Sequence, residues 1–221
     1  MNVIHVKKDG SLMDQPDKLP RRERERLRHR QEILDAARKI LAARGIEGLT
    51  VEQVAREAEF AVGSIYRHFR SKEELIEVLM TELAEPLFEE LEALPASGLA
   101  FEEMLAALVR TIHDTHLENL PVVKVFLAAP GNFPSIEGEQ GARMRAFGQR
   151  YFATIDGVLR VGQEAGTFAP GERLPMVLAL SGILESFNKW ALFGPAGPVA
   201  DAPAFICRLF LDGARARGAS V

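Results

Sequence analysis

Several features that would indicate other classes of protein are absent from these 221 residues. There is one cysteine, Cys207, which excludes an intrachain disulfide framework and fits a reducing compartment. We expect it to be a small buried residue of a late helix rather than a redox-sensing thiol. No uncharged apolar run reaches about 18 residues, and the N-terminus lacks the apolar region of a signal peptide. We therefore expect a cytoplasmic protein with no membrane partner.

The chain also lacks the short motifs of common enzyme classes. It has no Walker loop, GxGxxG turn, GxSxG elbow or HExxH helix. His113 and His116 have the i,i+3 spacing of two metal ligands on one helix, but no nearby cluster of Cys, His or Asp clearly completes a site. We therefore expect no enzyme, no cofactor and no metal.

The net charge of −4 hides an asymmetry between the two ends of the chain. Residues 1–70 contain 15 Lys+Arg and 11 Asp+Glu, a net charge of +4, whereas residues 71–221 contain 12 and 20, a net charge of −8. Such an excess of positive charge at one end is the electrostatic footprint that nucleic-acid binding requires.

Residues 18–30 are the densest part of the positive end, with seven Lys or Arg and two Glu. They fit two interpretations equally well. One is a contact to a DNA backbone or minor groove. The other is a solvated helix surface held by the i,i+3 ion pairs Glu23–Arg26 and Glu25–Arg28.

Helical periodicity runs through most of the chain, and no segment is predicted to be a strand or an internal repeat. After a mostly disordered arm at 1–20, we expect a first helix with Leu27, Leu34 and Leu41 on its inner stripe, ending at a left-handed Gly45. Further helices are predicted at 51–58, 62–69, 72–94 (interrupted by Pro86), 99–118, 122–129, 142–164, 174–193 and 201–212, with a loop at 130–141. The total is about nine helices.

Residues 50–69 have the pattern of two short helices joined by a tight turn. Thr50 and Gln53 form a predicted capping box at the start of the first helix. Ser71 and Glu74 form a second predicted box, which begins the helix that follows the pair. These signals define a helix-turn-helix at about 50–69.

The second helix of this pair has one apolar side and one side suited to DNA. On a helical wheel Val62, Ile65 and Phe69 fall on the side that we expect to be buried. The opposite arc contains small, hydrogen-bonding and positively charged residues, namely Gly63, Ser64, Arg67 and His68, with Tyr66 at its edge. A helical glycine costs roughly 1 kcal/mol and is tolerated where another molecule approaches the backbone closely.

The run Gly63-Ser64-Ile65-Tyr66-Arg67-His68-Phe69, followed by Ser71-Lys72-Glu73-Glu74-Leu75, resembles the DNA-binding domain of the tetracycline-repressor (TetR) family. The resemblance covers about residues 27–87. Two positions depart from the family pattern. Glu59 stands where the turn commonly has glycine, and Ala61 stands where the recognition helix commonly has a serine or threonine cap.

The resemblance implies an all-α protein with a three-helix DNA-binding domain at 21–75 and a helical effector-binding and dimerisation domain at 76–221. It implies a ligand-responsive repressor that binds a near-palindromic operator as a homodimer and is released by a small-molecule effector. Thr50, Tyr66, His68 and Lys72 are expected to hold phosphates. Ser64 and Arg67, with Val62 and Gly63 in contact range, are expected to read base edges. The alternative is a helical carrier, enzyme or protein-binding adaptor with a vestigial helix-turn-helix.

The resemblance also implies an effector pocket between the middle helices and a dimer formed by helices 174–193 and 201–212. The late helices fit an ordinary two-layer core as a second interpretation. The candidate pocket residues are His113, His116, Phe126, Phe147, Tyr151, Asn188 and Trp190. Each aromatic member of this set could instead belong to the core.

Overall fold

The computed structural model describes residues 19–128 and 138–214, and these residues form nine α-helices and no strand. The all-α prediction is therefore confirmed. The helices are α1 (Arg21–Gly48), α2 (Val51–Glu57), α3 (Val62–His68), α4 (Lys72–Ala93), α5 (Phe101–Glu118), α6 (Leu120–Ala128), α7 (Gly138–Glu164), α8 (Leu174–Phe193) and α9 (Ala202–Ala214), with a short 3-10 helix at Leu94–Ala96. None of the described helices is long and apolar enough to span a bilayer.

The chain divides into two compact units, Met1–Pro86 and Leu87–Val221. The division falls inside α4, after Pro86, which is later than the predicted domain boundary at residue 75. The predicted arm lies outside the described residues up to residue 18, and so does the predicted loop between residues 130 and 137.

The first unit is held together by one apolar stripe along α1. Ile33, Leu34 and Ala37 are fully buried, and Leu41 continues the stripe, whereas Leu27 is only partly buried. The residues of α2, α3 and α4 that complete this core are Val54, Ala55, Ile65, Leu75, Leu79 and Met80. The repeat of the buried positions follows the 3.6-residue period of the helix, so burial of the stripe orients α1.

Gly45 interrupts α1 with a positive φ, but the predicted helix end at this residue is wrong, because α1 continues to Gly48. The φ of 65° and ψ of −169° at Gly45 lie in a region of backbone space that is essentially restricted to glycine. The three residues after it, Ile46–Gly48, resume helical geometry before Leu49 leaves the helix in an extended conformation. Gly45 therefore sets the direction in which the chain enters α2.

The predicted capping box of α2 forms only half of its bonds. The Gln53 N–H donates to Thr50 Oγ1 at 3.2 Å, which confirms the N-cap. Gln53 Oε1, however, accepts a hydrogen bond at 3.0 Å from Arg44 Nη1 on α1. The second half of the prediction is wrong because a longer-range donor takes the amide oxygen.

The second unit is built around α5, with α7, α8 and α9 packed against it. Its fully buried side chains include Leu105, Leu108, Val109, Ile112, Ile155, Val158, Leu159, Leu180 and Ile206. Cys207 is buried in this core, with Sγ 4.0 Å from the Leu105 carbonyl oxygen, and burial raises the pKa of its thiol. A buried thiol of raised pKa is a weak nucleophile, which fits the expected structural role.

Helix α7 begins earlier than predicted. It starts at Gly138, whereas the sequence predicted a loop to residue 141 and a helix from residue 142. Two glycines in the first four residues make this stretch resemble a loop, since glycine disfavours helix by up to about 1 kcal/mol per residue. The prediction from local propensity is wrong here because the helix extends through them.

The turn between α2 and α3 contains a non-glycine residue in the left-handed conformation. Glu59 is exposed and has a φ of 60°, at the position where the TetR pattern commonly has glycine. We expect Glu59→Gly to raise the free energy of unfolding by about 0.5–1 kcal/mol, because it removes the left-handed penalty at some cost in chain entropy. Chemical denaturation measures this change.

Glu52→Gly provides the matched control, because Glu52 is an exposed glutamate within α2. Glycine should destabilise the protein there, by up to about 1 kcal/mol. If both substitutions lowered stability equally, the left-handed residue would carry no strain.

Candidate nucleic-acid interface

Helix α3 presents one buried side and one exposed side. Ile65 and the following Phe69 are almost fully buried, which fixes the helix to the core of the first unit. Val62 is 37% exposed and Tyr66 is 51% exposed. The expectation that Val62 is buried is therefore wrong, because the helix begins at Val62 and its first turn extends beyond the core.

Gly63 lies on the exposed side of α3 with open space in front of it. A Cβ built on Gly63 has no heavy atom within 4 Å. Packing inside the protein therefore does not require glycine at this position. The cost of a helical glycine has no internal compensation here, which fits close approach by an external molecule.

Two predicted base-reading residues of α3 are already bonded to each other. Arg67 Nη2 donates to Ser64 Oγ at 2.7 Å, across one turn of the exposed side. Guanidinium groups offer five N–H donors, so this bond leaves the others available. The pair restricts the Arg67 side chain to the surface of the helix that is open to solvent.

The basic segment of α1 lies beside the end of α3. The rings of His29 and His68 have centroids 6.4 Å apart. Partial burial lowers the pKa of His68, and electrostatic repulsion from His29, Arg26, Arg67 and Arg30 lowers it further. These groups from two helices therefore form one cationic cluster, which we call the α1–α3 cluster.

The ion pairs on α1 differ from those predicted. Glu25 pairs with Arg21 at 3.0 Å, and Arg28 pairs with Glu32 at 3.5 Å, so both pairs have i,i+4 rather than i,i+3 spacing. The predicted pairs Glu23–Arg26 and Glu25–Arg28 do not describe this surface. Arg26 instead lies close enough to His68 to lower the pKa of that imidazole.

His29 has no individual role in the prediction from the sequence. The phase of the buried stripe contained the signal, because residues 26, 29, 30, 33 and 37 share one side of α1. Arg30 follows this phase and stacks over the Phe69 ring, with its Cζ 4.7 Å from the ring centroid. The same stripe that packs α1 therefore brings its cations to α3.

Lys72 bonds to the end of α1 rather than standing free. Its Nζ donates to the Ile46 carbonyl oxygen at 2.9 Å, which leaves two N–H donors for a phosphate. Ser71 Oγ caps the helix by accepting from the Glu74 N–H at 3.1 Å. The Glu74 carboxylate accepts from the N–H of Arg70, at 2.6 Å, and not from Ser71 as the capping box predicted.

The second unit contains a polar centre in its apolar core. Asn188 is 2% exposed, and its side-chain amide forms a hydrogen bond with His116 Nδ1. No described group bonds to Asn188 Oδ1. Leaving such a group unpaired costs about 1–3 kcal/mol. Burial lowers the pKa of His116 to about 4, although the bond from Asn188 opposes this shift, so the imidazole is neutral at pH 7.

The other predicted effector residues have different environments. His113 is buried, with Nδ1 3.2 Å from Asp114 Oδ1. Burial raises the pKa of Tyr151. The Phe147 ring packs edge-on against Phe88, with centroids 5.1 Å apart. Trp190 is 45% exposed and faces away from the core.

The side chain of Phe126 lies outside the part of the chain that the structure describes. Within the described part, no group of three or more His, Cys, Asp or Glu side chains has the arrangement of a metal site.

Comparison with known families accounts for both units. Residues 33–79 match the family described as bacterial regulatory proteins, tetR family. Residues 98–212, more than half of the chain, match the tetracyclin repressor-like C-terminal domain. The chain belongs to the TetR family of bacterial regulatory proteins. Membership confirms the resemblance seen in the sequence.

One similar TetR-family protein is the transcriptional repressor KstR2 of Rhodococcus jostii, which is 36% identical over 85 residues. The match covers 38% of this chain and 42% of KstR2, so the chain spans less than half the length of this curated relative.

Two solved structures share the fold of this TetR-family chain. FadR of Bacillus subtilis, in complex with stearoyl-CoA, has a TM-score of 0.70 and 19% identity, and the match covers 83% of this chain and 98% of FadR. AibR, in complex with isovaleryl coenzyme A and operator DNA, has a TM-score of 0.62 and 21% identity, with coverage of 85% and 98%.

The partly buried, neutral His116 makes the stability of this protein depend on pH. The pKa of His116 falls from 6.5 to about 4 on folding, so protonation favours the unfolded chain below pH 6.5. The stabilising effect is complete above pH 6.5 and is lost as the pH falls towards 4. We expect this loss to amount to about 3 kcal/mol.

Urea denaturation of the wild type and His116→Asn at pH 7 and pH 4.5 measures this effect. The asparagine oxygen can replace Nδ1 as an acceptor but does not titrate. The wild type should lose more stability than the variant over this interval. Equal losses would mean that His116 is not held neutral.

Proposed function

We propose that this TetR-family regulator is a homodimeric repressor that binds a near-palindromic operator and is released by a small-molecule effector. It would act in the cytoplasm, where the operator DNA of a bacterial regulator lies. The observation that carries the proposal is the exposed side of α3, where Gly63 leaves the backbone open beside Arg67. Such a surface fits the close approach of a recognition helix to a major groove.

The residues around this surface divide into two chemical groups. Arg67 carries the donor geometry that matches guanine, and Ser64 bonds to either kind of base. Tyr66, Lys72 and the α1–α3 cluster supply hydroxyl and cationic groups, which suit phosphate oxygens. We assign base reading to the first group and positioning on the DNA backbone to the second.

The exposed side chains of α8 and α9 support dimerisation through these helices. Along α8, Leu174, Leu178 and Phe193 are 61%, 51% and 53% exposed, and Gly182 lies between them with open space in front of it. The matching residues of α9 are Phe205 and Leu209, exposed to 45% and 49%. Contiguous apolar side chains around a glycine suit close crossing of helices, so a second copy of the chain is the proposed partner.

We propose an acyl thioester of coenzyme A as the effector class. Two solved proteins of this fold, FadR and AibR, hold stearoyl-CoA and isovaleryl coenzyme A. The effector would bind in the second unit, whose core contains the polar centre of His116 and Asn188. Complete release from the operator requires the effector to favour the released conformation by about 5.5 kcal/mol.

Selection of bound sequences from a random DNA pool tests the proposal directly. We expect a near-palindromic winner whose affinity falls steeply with salt, as release of counterions requires. Addition of acyl-CoA should then release the winning sequence. Recovery of no preferred sequence by folded, ligand-free protein would favour a carrier or adaptor instead.

Two substitutions on α3 should separate base reading from phosphate contact. Arg67→Ala should relax the preference at one base position of the selected operator, by about 1–3 kcal/mol. Tyr66→Phe removes one hydroxyl from an exposed ring and should weaken binding to all operator variants by about 0.5–1.5 kcal/mol. Fluorescence anisotropy over a panel of single-base operator variants measures both effects, and identical profiles for the two variants would contradict this division.

A charge on the exposed stripe of α8 should separate the dimer. Leu178→Lys places an ammonium in the proposed interface but on the surface of the monomer, so the fold should persist. We expect monomers in sedimentation velocity and operator affinity reduced at least about tenfold, because one half-site is lost. Leu99→Lys is the control, since Leu99 is 43% exposed but lies outside α8 and α9. A dimeric Leu178→Lys variant would place the interface elsewhere.

A further inference from the structure

The inner sides of α5 and α8 change from apolar to polar at corresponding ends. On α8 the buried stripe runs through Val177, Leu180 and Leu184 and then reaches Asn188. On α5 the buried Ile112 is followed one turn later by His116. The two polar residues bond to each other across the interface of the helices. Two apolar residues would fill this position without leaving a polar atom unpaired.

The hydrogen-bond inventory of this pair is incomplete. The Asn188 amide donates to His116 Nδ1, so the neutral imidazole carries its proton on Nε2. Asn188 Oδ1 then has no described partner. One end of this buried carboxamide is therefore unsatisfied.

We propose that Asn188 and His116 form the hydrogen-bonding anchor of the effector site and that they receive an uncharged amide or hydroxyl group carried on an apolar part of the ligand. This inference rests on the proposed effector function and adds the chemistry of recognition. An amide or hydroxyl group can donate an N–H or O–H, so it completes the Asn188 carboxamide at Oδ1. Leu184 and Ile112, one turn before Asn188 and His116 on the same buried stripes, make the immediate neighbourhood of the anchor apolar.

Electrostatics at the anchor disfavour a carboxylate. His116 is neutral at pH 7, because burial lowers its pKa to about 4. The electrostatic effect of His113 lowers the pKa of His116 further. The Asp114 carboxylate lies beside His113, with Oδ1 3.2 Å from Nδ1. Lys189, which follows Asn188 on α8, is exposed and pairs with Glu185 at 2.6 Å. A buried carboxylate needs a cation or several donors. Neither the neutral His116 nor the ion-paired Lys189 supplies a free cation, and Lys124 of α6 lies over the Phe193 ring, with Nζ 5.5 Å from its centroid.

Matched pairs of probes test the anchor in the full-length protein. Butanamide, octanamide and dodecanamide are titrated by calorimetry at pH 7.5 against the carboxylates of the same chain lengths. We expect at least one amide to bind at least about tenfold more tightly than its carboxylate. This preference should disappear in Asn188→Leu, which keeps the size of the side chain but removes the carboxamide.

Thr154→Val is the matched control for loss of a buried polar group. Thr154 is 5% exposed, and its hydroxyl donates to the Arg150 carbonyl within its own helix, so it is already satisfied. The control should keep the amide preference. If Asn188→Leu does not fold, Asn188→Ser removes the carboxamide with a smaller polar residue, and its loss of preference carries the same meaning.

The anchor is overturned if no amide binds, if carboxylates bind as tightly, or if folded Asn188→Leu or Asn188→Ser keeps the preference. Operator selection, run on the same preparations, separates this failure from failure of the proposed function. Intact operator selection without amide preference overturns only the anchor. If the amide preference is found but no operator sequence is selected, the proposed regulator function is wrong. The anchor would then belong to a ligand carrier.

Discussion

Helix α3 has only seven residues, and its conformation depends on burial of Ile65 and Phe69 in the first unit. Isolated helices shorter than about 12–15 residues are marginal in water. A helix of this length therefore needs tertiary packing to persist. The two apolar side chains hold one side of α3 inward. The other side is then presented to solvent as a fixed surface, with Gly63 and Arg67 on it. A DNA-reading helix requires this pre-organisation, because a flexible one would lose entropy on binding.

The sequence predicted the helix-turn-helix well where the signal is local. Thr50 caps α2 and Gly45 interrupts α1, since each acts through its own backbone or a neighbour three residues away. The predictions failed where a distant partner competes. Gln53 bonds to Arg44 on another helix, and nothing in the local pattern reveals that donor.

The sequence does not predict which effector candidates of α8 are buried, because this helix is apolar on two sides. Asn188 and Trp190 are two residues apart, and a helical period cannot decide which faces inward when both stripes contain leucines. The structure buries Asn188 and exposes Trp190. The pairing of Asn188 with His116 joins residues 72 positions apart, which no short-range pattern encodes.

The two sides of α8 connect the proposed effector anchor with the proposed dimer interface. Asn188 lies on the inner side, whereas Leu178 and Gly182 lie on the outer side of the same helix. A helix moves as a rigid rod over a few turns, so a ligand that displaces α8 at Asn188 also displaces the outer stripe. A ligand shifts a conformational equilibrium only by its differential affinity for the two states. Dimerisation through the outer stripe would therefore change the affinity for the effector. By linkage, the effector would change the affinity of the two copies for each other by the same free energy.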